Sequence, residues 1–317
     1  MRAVVVGCGS WGTAFARVLA DRGHDVTLAC RDDEQAAAIR KTGRNPRYQS
    51  HVDLRDVAAV TVGELDGDAE LFVLAVPSRA FADVARSLPG TAPVLSLTKG
   101  LDPSTGERLS TLVVGRPVAV LSGPNMAEEI AGGLPTAAAL ASEDVSFAEH
   151  LQGELNSLAF RIYVNPDLAG VELCAAAKNV IALAAGGVDG LGLGDNAKAA
   201  LITRGLAEMA RLGEAAGAQQ ETFSGLAGMG DLIVTCWHPS GRNRRAGELI
   251  ARGHTPDQAV AEIGQTVEGL TTAPVLRDLS HRLGIELPIT EGVCTVLGGM
   301  ELSELVAGLM GRRPTEE

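Results

Sequence analysis

The chain has 317 residues, 46% of them hydrophobic, only 3% aromatic, and a formal net charge of −12. That is apolar material for one large or two ordinary buried cores, while the acidity repels polyanions and the scarcity of aromatics removes base-stacking surfaces, so no nucleic-acid partner is expected. The five cysteines (Cys8, Cys30, Cys174, Cys236, Cys294) are widely spaced without a CxxC pair, so reduced thiols are expected, with neither a disulfide framework nor a metal site. A strand signal already at Arg2 leaves no room for a signal peptide, and no apolar run is read as long enough to span a membrane, so a cytoplasmic protein without membrane insertion is expected.

In chain order, RAVVV, DVTLAC, ELFVLAV, PVLSL and PVAVL read as buried parallel strands, with crossover helices over 13–22 and 79–87. TAAALA and RIYV add two strands near Thr136 and Arg161. Beyond Pro166 the strand signal stops and helices are predicted over 168–185, 197–216, 242–252, 255–262, 271–282 and 290–297, with GRRPTEE as a frayed end. The expected architecture is an α/β N-terminal Rossmann domain, doubly wound around a mainly parallel sheet, over residues 1–165, and an all-α domain over 166–317.

Directly after the first strand, Gly7-x-Gly9-x-x-Gly12 opens a helix, which is the context a dinucleotide fingerprint needs. Gly7 serves the tight turn, Gly9 the backbone approach to a pyrophosphate, and Gly12 the packing of helix on sheet. The second strand ends at Cys30, which cannot take two ribose hydroxyl bonds, and Arg31 follows, as suits the 2′-phosphate of NADP(H). Asp32 and Asp33 leave NAD(H) possible should one turn inward. AVPSRAF (75–81) and SLTKGL (96–101) also follow strands, where ligands of open parallel sheets bind, so Lys99 can meet cofactor or an anionic substrate. In SGPNMAEEI, Asn125 is expected to cap a helix with Glu128 completing a capping box.

The stretch ELCAAAKNVIALAAGG carries one lysine on an almost uncharged helix. Cys174, Ile181 and Ala182 share its face, and no carboxylate is placed to pair with it along the helix. Lys178 is either a snorkelling side chain or an amine aimed into a pocket, its pKa lowered by desolvation. The glycines of 186–194 read as a flexible loop, and Arg204 with Glu208 as a surface pair. In GLAGMGDLIVTC, Asp231 and Thr235 share a helix face, with an N-cap as the alternative role of Asp231. HPSGRNRRAGELI is the densest basic patch, with Arg242, Arg244 and Arg245 near a helix start, suited to the phosphate of a small molecule. Glu268 precedes another helix start.

These motifs, in order over nearly the whole chain (GCGSWGTA, AVPS, SLTKGL, SGPNMAEEIAGGLPT, ELCAAAKNVIALAAGG, GLAGMGDLIVTC, RNRRAGELI and VEG), resemble bacterial NAD(P)-dependent glycerol-3-phosphate dehydrogenases. The resemblance implies reversible reduction of dihydroxyacetone phosphate to sn-glycerol 3-phosphate for phospholipid synthesis, by a homodimer that prefers NADP(H). It implies Lys178 as proton acceptor, Lys99 as its companion, and Asp231 and Thr235 in the same site. It implies substrate contacts at Gly123, Asn125, Gly241, Arg242 and Asn243, and cofactor contacts at Ser10, Trp11, Arg31, Lys99, Ala127, Arg242 and Glu268. Two departures stand out: Gly241 where the family commonly has Ser, with a backbone N–H expected to replace one contact, and Asn125-Met126 where Ser-His is frequent. The competing readings are a related two-domain β-hydroxyacid-type dehydrogenase and a non-catalytic NADP-binding sensor.

Overall fold

Short β-branched runs covered on both faces become strands, and the longer Ala/Leu periodicities between them become helices. The computed structural model describes residues 1–310; the tail GRRPTEE lies outside the described residues. The first part runs β1 (Arg2–Val6), α1 (Ser10–Asp21), β2 (Asp25–Cys30), α2 (Asp33–Thr42), β3 (Val57–Thr61), β4 (Leu71–Leu74), α3 (Ser78–Ser87), β5 (Val94–Ser96), β6 (Val118–Ser122), α4 (Ala127–Ala131), β7 (Thr136–Ala141), α5 (Val145–Leu155) and β8 (Phe160–Asn165). One eight-stranded sheet has the order β3-β2-β1-β4-β5-β6-β7-β8. The first six strands are parallel; β7 opposes β6 and β8 runs with β7. Strand β3 is absent from the sequence reading: it sits at the sheet edge, with Ala58 exposed within a short VAAVT run.

Helices follow: α6 (Leu168–Gly190), α7 (Gly194–Ala215), α8 (Gln220–Ser224), α9 (Asp231–Trp237), α10 (Arg242–Ala251), α11 (Pro256–Ile263), α12 (Glu268–Leu283), α13 (Pro288–Leu297) and α14 (Leu302–Met310). Helix α6 is their axis, buried from Leu168 to Gly187 over almost its whole circumference. Its core is continuous with the sheet, since Val120, Ala139 and Ala141 pack into the same cluster as Val171, Ala177 and Ile181.

Several expectations are corrected here. The predicted glycine loop of 186–194 is mostly helix: α6 continues to Gly190, because α10 presses directly on its glycines. A Cβ on Gly186 would lie 1.8 Å from Arg244 O, and one on Gly247 1.9 Å from Leu183 O. Helix α6 is also long and apolar enough to cross a membrane, contrary to the sequence reading, but 89% of its apolar window is buried inside the protein. Glu208 does not pair with Arg204. It is buried and accepts bonds from Ile289 N (2.7 Å), Thr290 N (2.9 Å) and Thr290 Oγ1 (2.6 Å), satisfying free donors at the start of α13.

The thiols are not all reduced: Cys8 and Cys30 form a disulfide, while Cys174, Cys236 and Cys294 are free and buried. Their 22-residue separation hides the proximity. Strands β1 and β2 are parallel neighbours paired up to Val6 and Ala29, so the residues just past that pair meet.

Candidate active site

Five loops gather at the carboxyl ends of parallel strands, after β1, β2, β4, β5 and β6. The first joins β1 to α1. A Cβ on Gly7 (φ 115°) would meet Ala75 O at 2.4 Å, and one on Gly12 would meet Gly7 O at 1.9 Å, whereas Gly9 faces open space. Helix α1 starts at Ser10 with Gly9 as its N-cap and no side chain capping it. Free N–H groups thus point into an open cradle, which fits the pyrophosphate of a dinucleotide. Ser10 Oγ accepts from Gln49 Nε2 at 2.9 Å. Trp11 packs edge-on against Phe15, its buried indole Nε1 without a partner among the described residues. Ala127, buried at the start of α4, lies on the helix that packs against α1.

Arg31 is exposed just past β2. Asp32 does not turn inward: it caps α2 by accepting from Gln35 N at 3.0 Å, and its other oxygen pairs with Arg47 at 2.6 Å.

The loops after β5 and β6 meet α6 and α9. Lys178 Nζ donates to Asp231 Oδ1 at 2.6 Å and to Thr235 Oγ1 at 2.8 Å. Lys99, after β5, donates to Asp231 Oδ2 at 2.6 Å and to Gly123 O, after β6, at 3.0 Å. One carboxylate therefore holds two ammonium groups. Each ammonium has three donors and uses two, leaving one apiece for a ligand oxygen. Asp231 opens α9 after a π-helical turn (Leu226–Gly230) and does not cap the helix, whose N-cap is Gly230; the N-cap alternative is thereby set aside.

Burial sets the electrostatics. Lys178 is 5% exposed. Desolvation, against the pull of Asp231 and helped by the neighbouring Lys99 charge, lowers its pKa to about 7. Burial alone would raise the Asp231 carboxyl, but the two ammonium groups, Lys178 foremost, overcome it and hold the group below its usual range.

Asn125 also differs from expectation. Helix α4 starts two residues later with Met126 as N-cap and no side-chain cap, so no capping box forms. The Asn125 amide instead donates to Ala137 O on β7 at 3.1 Å, and its buried Oδ1 has no partner among the described residues. An orphaned acceptor beside Gly123 suits a ligand that brings a hydroxyl.

Of the basic patch, Arg242 alone makes no ion pair among the described residues. Arg244 bonds Asp189 (2.5 Å), Glu248 (3.2 Å) and the carbonyls of His238 and Pro239, and Arg245 pairs with Glu262 at 3.1 Å. Arg242 is exposed at the start of α10, and its guanidinium makes one hydrogen bond among the described residues, to Gln265 Oε1 at 3.4 Å. The N–H of Gly241 is engaged by His238 O at 3.0 Å, so it is not the free donor expected there. Asn243 is buried: its Nδ2 donates to Asn179 Oδ1 and its Oδ1 accepts from Gly269 N, both at 2.9 Å. One amide N–H of Asn243 is left over.

Two residues outside the sequence-based set tie this side together. Asn179, next to Lys178 in the chain, links α6 to α10 through Asn243. Ser78, after β4, donates through N (3.2 Å) and Oγ (2.6 Å) to Glu268 at the start of α12. Burial raises the Glu268 carboxyl pKa, with the Ser78 bonds and the charges of Arg242 and Arg79 pulling back. AVPS marks Ser78 as a residue after a strand, but its partner lies 190 residues away and leaves no local signal.

Comparisons with known proteins find one family along the chain. The family described as NAD-dependent glycerol-3-phosphate dehydrogenase matches in two parts, its N-terminus over residues 2–148 and its C-terminus over 167–307. A glycerol-3-phosphate dehydrogenase (NAD(P)+) of Moorella thermoacetica is 46% identical, the match covering 99% of this chain and 96% of that one. Its counterpart in Geobacillus kaustophilus is 45% identical over 99% of this chain and 95% of its own. The crystal structure of glycerol-3-phosphate dehydrogenase from Coxiella burnetii superposes with a TM-score of 0.93 at 38% identity, covering 98% of this chain and 99% of that one.

Proposed function

The chain belongs to the NAD-dependent glycerol-3-phosphate dehydrogenase family, and on that premise we propose that Lys178 exchanges the proton as dihydroxyacetone phosphate and sn-glycerol 3-phosphate interconvert. When bound, the nicotinamide dinucleotide supplies or takes up the hydride. In the reducing direction the Lys178 ammonium gives a proton to the oxygen on C2 of the substrate; in the oxidising direction the neutral amine accepts it. Lys99 adds its charge at the same oxygen, where negative charge develops. Asp231 holds both amines in position, and Thr235 fixes the direction of Lys178. Arg242 and the remaining Asn243 N–H take the substrate phosphate, and Gly123, Asn125 and Gly241 border it. Gly7, Gly9, Ser10, Trp11, Gly12, Ala127 and Glu268 border the dinucleotide, with Arg31 directed at its adenosine end and Lys99 and Arg242 shared with the substrate. The enzyme works in the cytoplasm as a homodimer. It prefers NADPH, because Asp32 is committed elsewhere and the Arg31 side chain makes no bond among the described residues.

One observation carries the reading: a buried lysine, bonded to a carboxylate and a hydroxyl, with a pKa of about 7 and one donor to spare. The test follows NADPH oxidation with dihydroxyacetone phosphate. Lys178→Ala should lower kcat by roughly 10²–10⁴. Near-normal turnover would remove Lys178 from the mechanism.

A further inference from the structure

We infer that Arg47 is a second cation of the adenosine 2′-phosphate seat and, together with Arg31, sets the preference for NADPH over NADH. This rests on the reading that the enzyme prefers NADPH.

Arg47 lies in the long connection between α2 and β3, far in sequence from the fingerprint, yet that connection is pinned to the dinucleotide cradle. The anchor is Asn45, which is fully buried. Its Nδ2 donates to Cys8 O at 3.0 Å, inside the fingerprint, and to Thr13 Oγ1 on α1 at 2.8 Å. Its Oδ1 accepts from Gln35 Nε2 (2.9 Å) and from the backbone N–H groups of Arg47 (3.1 Å) and Tyr48 (3.2 Å). A second tie comes from Gln49, whose side chain reaches Ser10. The backbone of Arg47 is thus fixed relative to the loop that would hold the pyrophosphate.

Its side chain points to the end of β2. Arg47 Nη1 lies 2.6 Å from Asp32 Oδ2, and Asp32 directly follows Arg31. The guanidinium is 50% exposed and its remaining donors have no partner among the described residues. A planar guanidinium can bond a carboxylate along one edge and a phosphate along another. Cys30 stands at the strand end where an NAD site carries its ribose-binding acid, and Asp32, two residues on, is an acid that could take that role by turning inward. Here one of its oxygens caps α2 and the other holds Arg47, so an acid that could select NADH instead orients a cation for NADPH. Arg31 and Arg47 thus stand on either side of a committed Asp32, two guanidinium forks with donors for the extra phosphate of NADP, while Asp33 and Glu34 follow in the first turn of α2.

The experiment compares kcat/KM for NADPH and NADH in the full-length wild type, Arg47→Ala and Arg47→Lys, with dihydroxyacetone phosphate saturating. The wild type should favour NADPH. Arg47→Ala should lower kcat/KM for NADPH roughly tenfold or more, the loss expected for a charge-assisted hydrogen bond, and leave NADH within about twofold. Arg47→Lys, which keeps charge but not the fork, should fall between. Inhibition against NADPH by adenosine 2′,5′-bisphosphate should weaken in Arg47→Ala, and that by AMP should not. A wild type favouring NADH would overturn the cofactor reading itself. A wild type favouring NADPH, with an unchanged NADPH-to-NADH ratio in Arg47→Ala, would overturn the role of Arg47 alone. Equal losses with both cofactors would also overturn it, by making Arg47 a support of the loop.

Discussion

Lys178 and Asp231 are bonded at 2.6 Å, yet the amine titrates near neutrality. Desolvation outweighs the attraction of the carboxylate, and the neighbouring charge of Lys99 opposes protonation further. The pH dependence follows with a definite sign. Below about 7 the amine carries its proton and cannot accept another, so oxidation of glycerol 3-phosphate should be slow there and rise to a plateau above it. Reduction of dihydroxyacetone phosphate needs the ammonium and should fall over the same range. Profiles of kcat against pH in both directions check this; two limbs of the same sign would contradict it.

Asp231→Asn tests the pull of the carboxylate on that proton. The carboxylate favours the protonated form of Lys178, and its removal should push the amine pKa lower still. Both limbs should therefore move to lower pH, and kcat for reduction at neutral pH should fall, because less of the amine is protonated. Limbs that stayed in place would mean that Asp231 does not govern this proton.

Arg242 and Arg244, two residues apart, should fail in different ways. Arg242 makes no ion pair among the described residues, so Arg242→Ala should leave the melting temperature almost unchanged while raising KM for dihydroxyacetone phosphate tenfold or more, as loss of a guanidinium–phosphate bond does. Arg244 links Asp189, Glu248 and two loop carbonyls, so Arg244→Ala should lower the melting temperature first. Thermal unfolding beside substrate titration separates the two. A stable Arg242→Ala with an unaltered KM would mean that the phosphate binds elsewhere.

Local patterns made some of this legible in sequence and hid the rest. RAVVV and DVTLAC announce strands because continuous β-branched runs suit a sheet buried on both faces, and the glycine spacing after β1 marks the dinucleotide edge. Lys178 stood out because an unpaired charge on an apolar helix needs an account. Its partners did not, since Asp231 is 53 residues away and Lys99 reaches Asp231 across 132. The same holds for Glu208, whose backbone partners lie about 80 residues on, and for Cys8 and Cys30, joined by strand register. The glycines at the end of α6 misled for a related reason: glycine signals a loop when read locally, but here its missing side chain admits a second helix.

That helix contact gives the last expectation. In an isolated helix Gly→Ala is stabilising by about 1 kcal/mol. At Gly247 the new Cβ would lie 1.9 Å from Leu183 O and 3.1 Å from Gly187 N, backbone atoms that cannot rotate aside. Helix α10 must then retreat from α6. Because α10 begins with Arg242 and Asn243, and Asn243 bonds Asn179 beside Lys178, the retreat draws the phosphate anchor away from the amine. Gly247→Ala should therefore lose roughly 1–3 kcal/mol or more of stability and raise KM for dihydroxyacetone phosphate, while KM for NADPH, governed by the β1–α1 cradle, stays close to wild type. Denaturant unfolding and steady-state kinetics on the same preparation decide it. A variant as stable as wild type would show that the helices are not held in contact at this glycine.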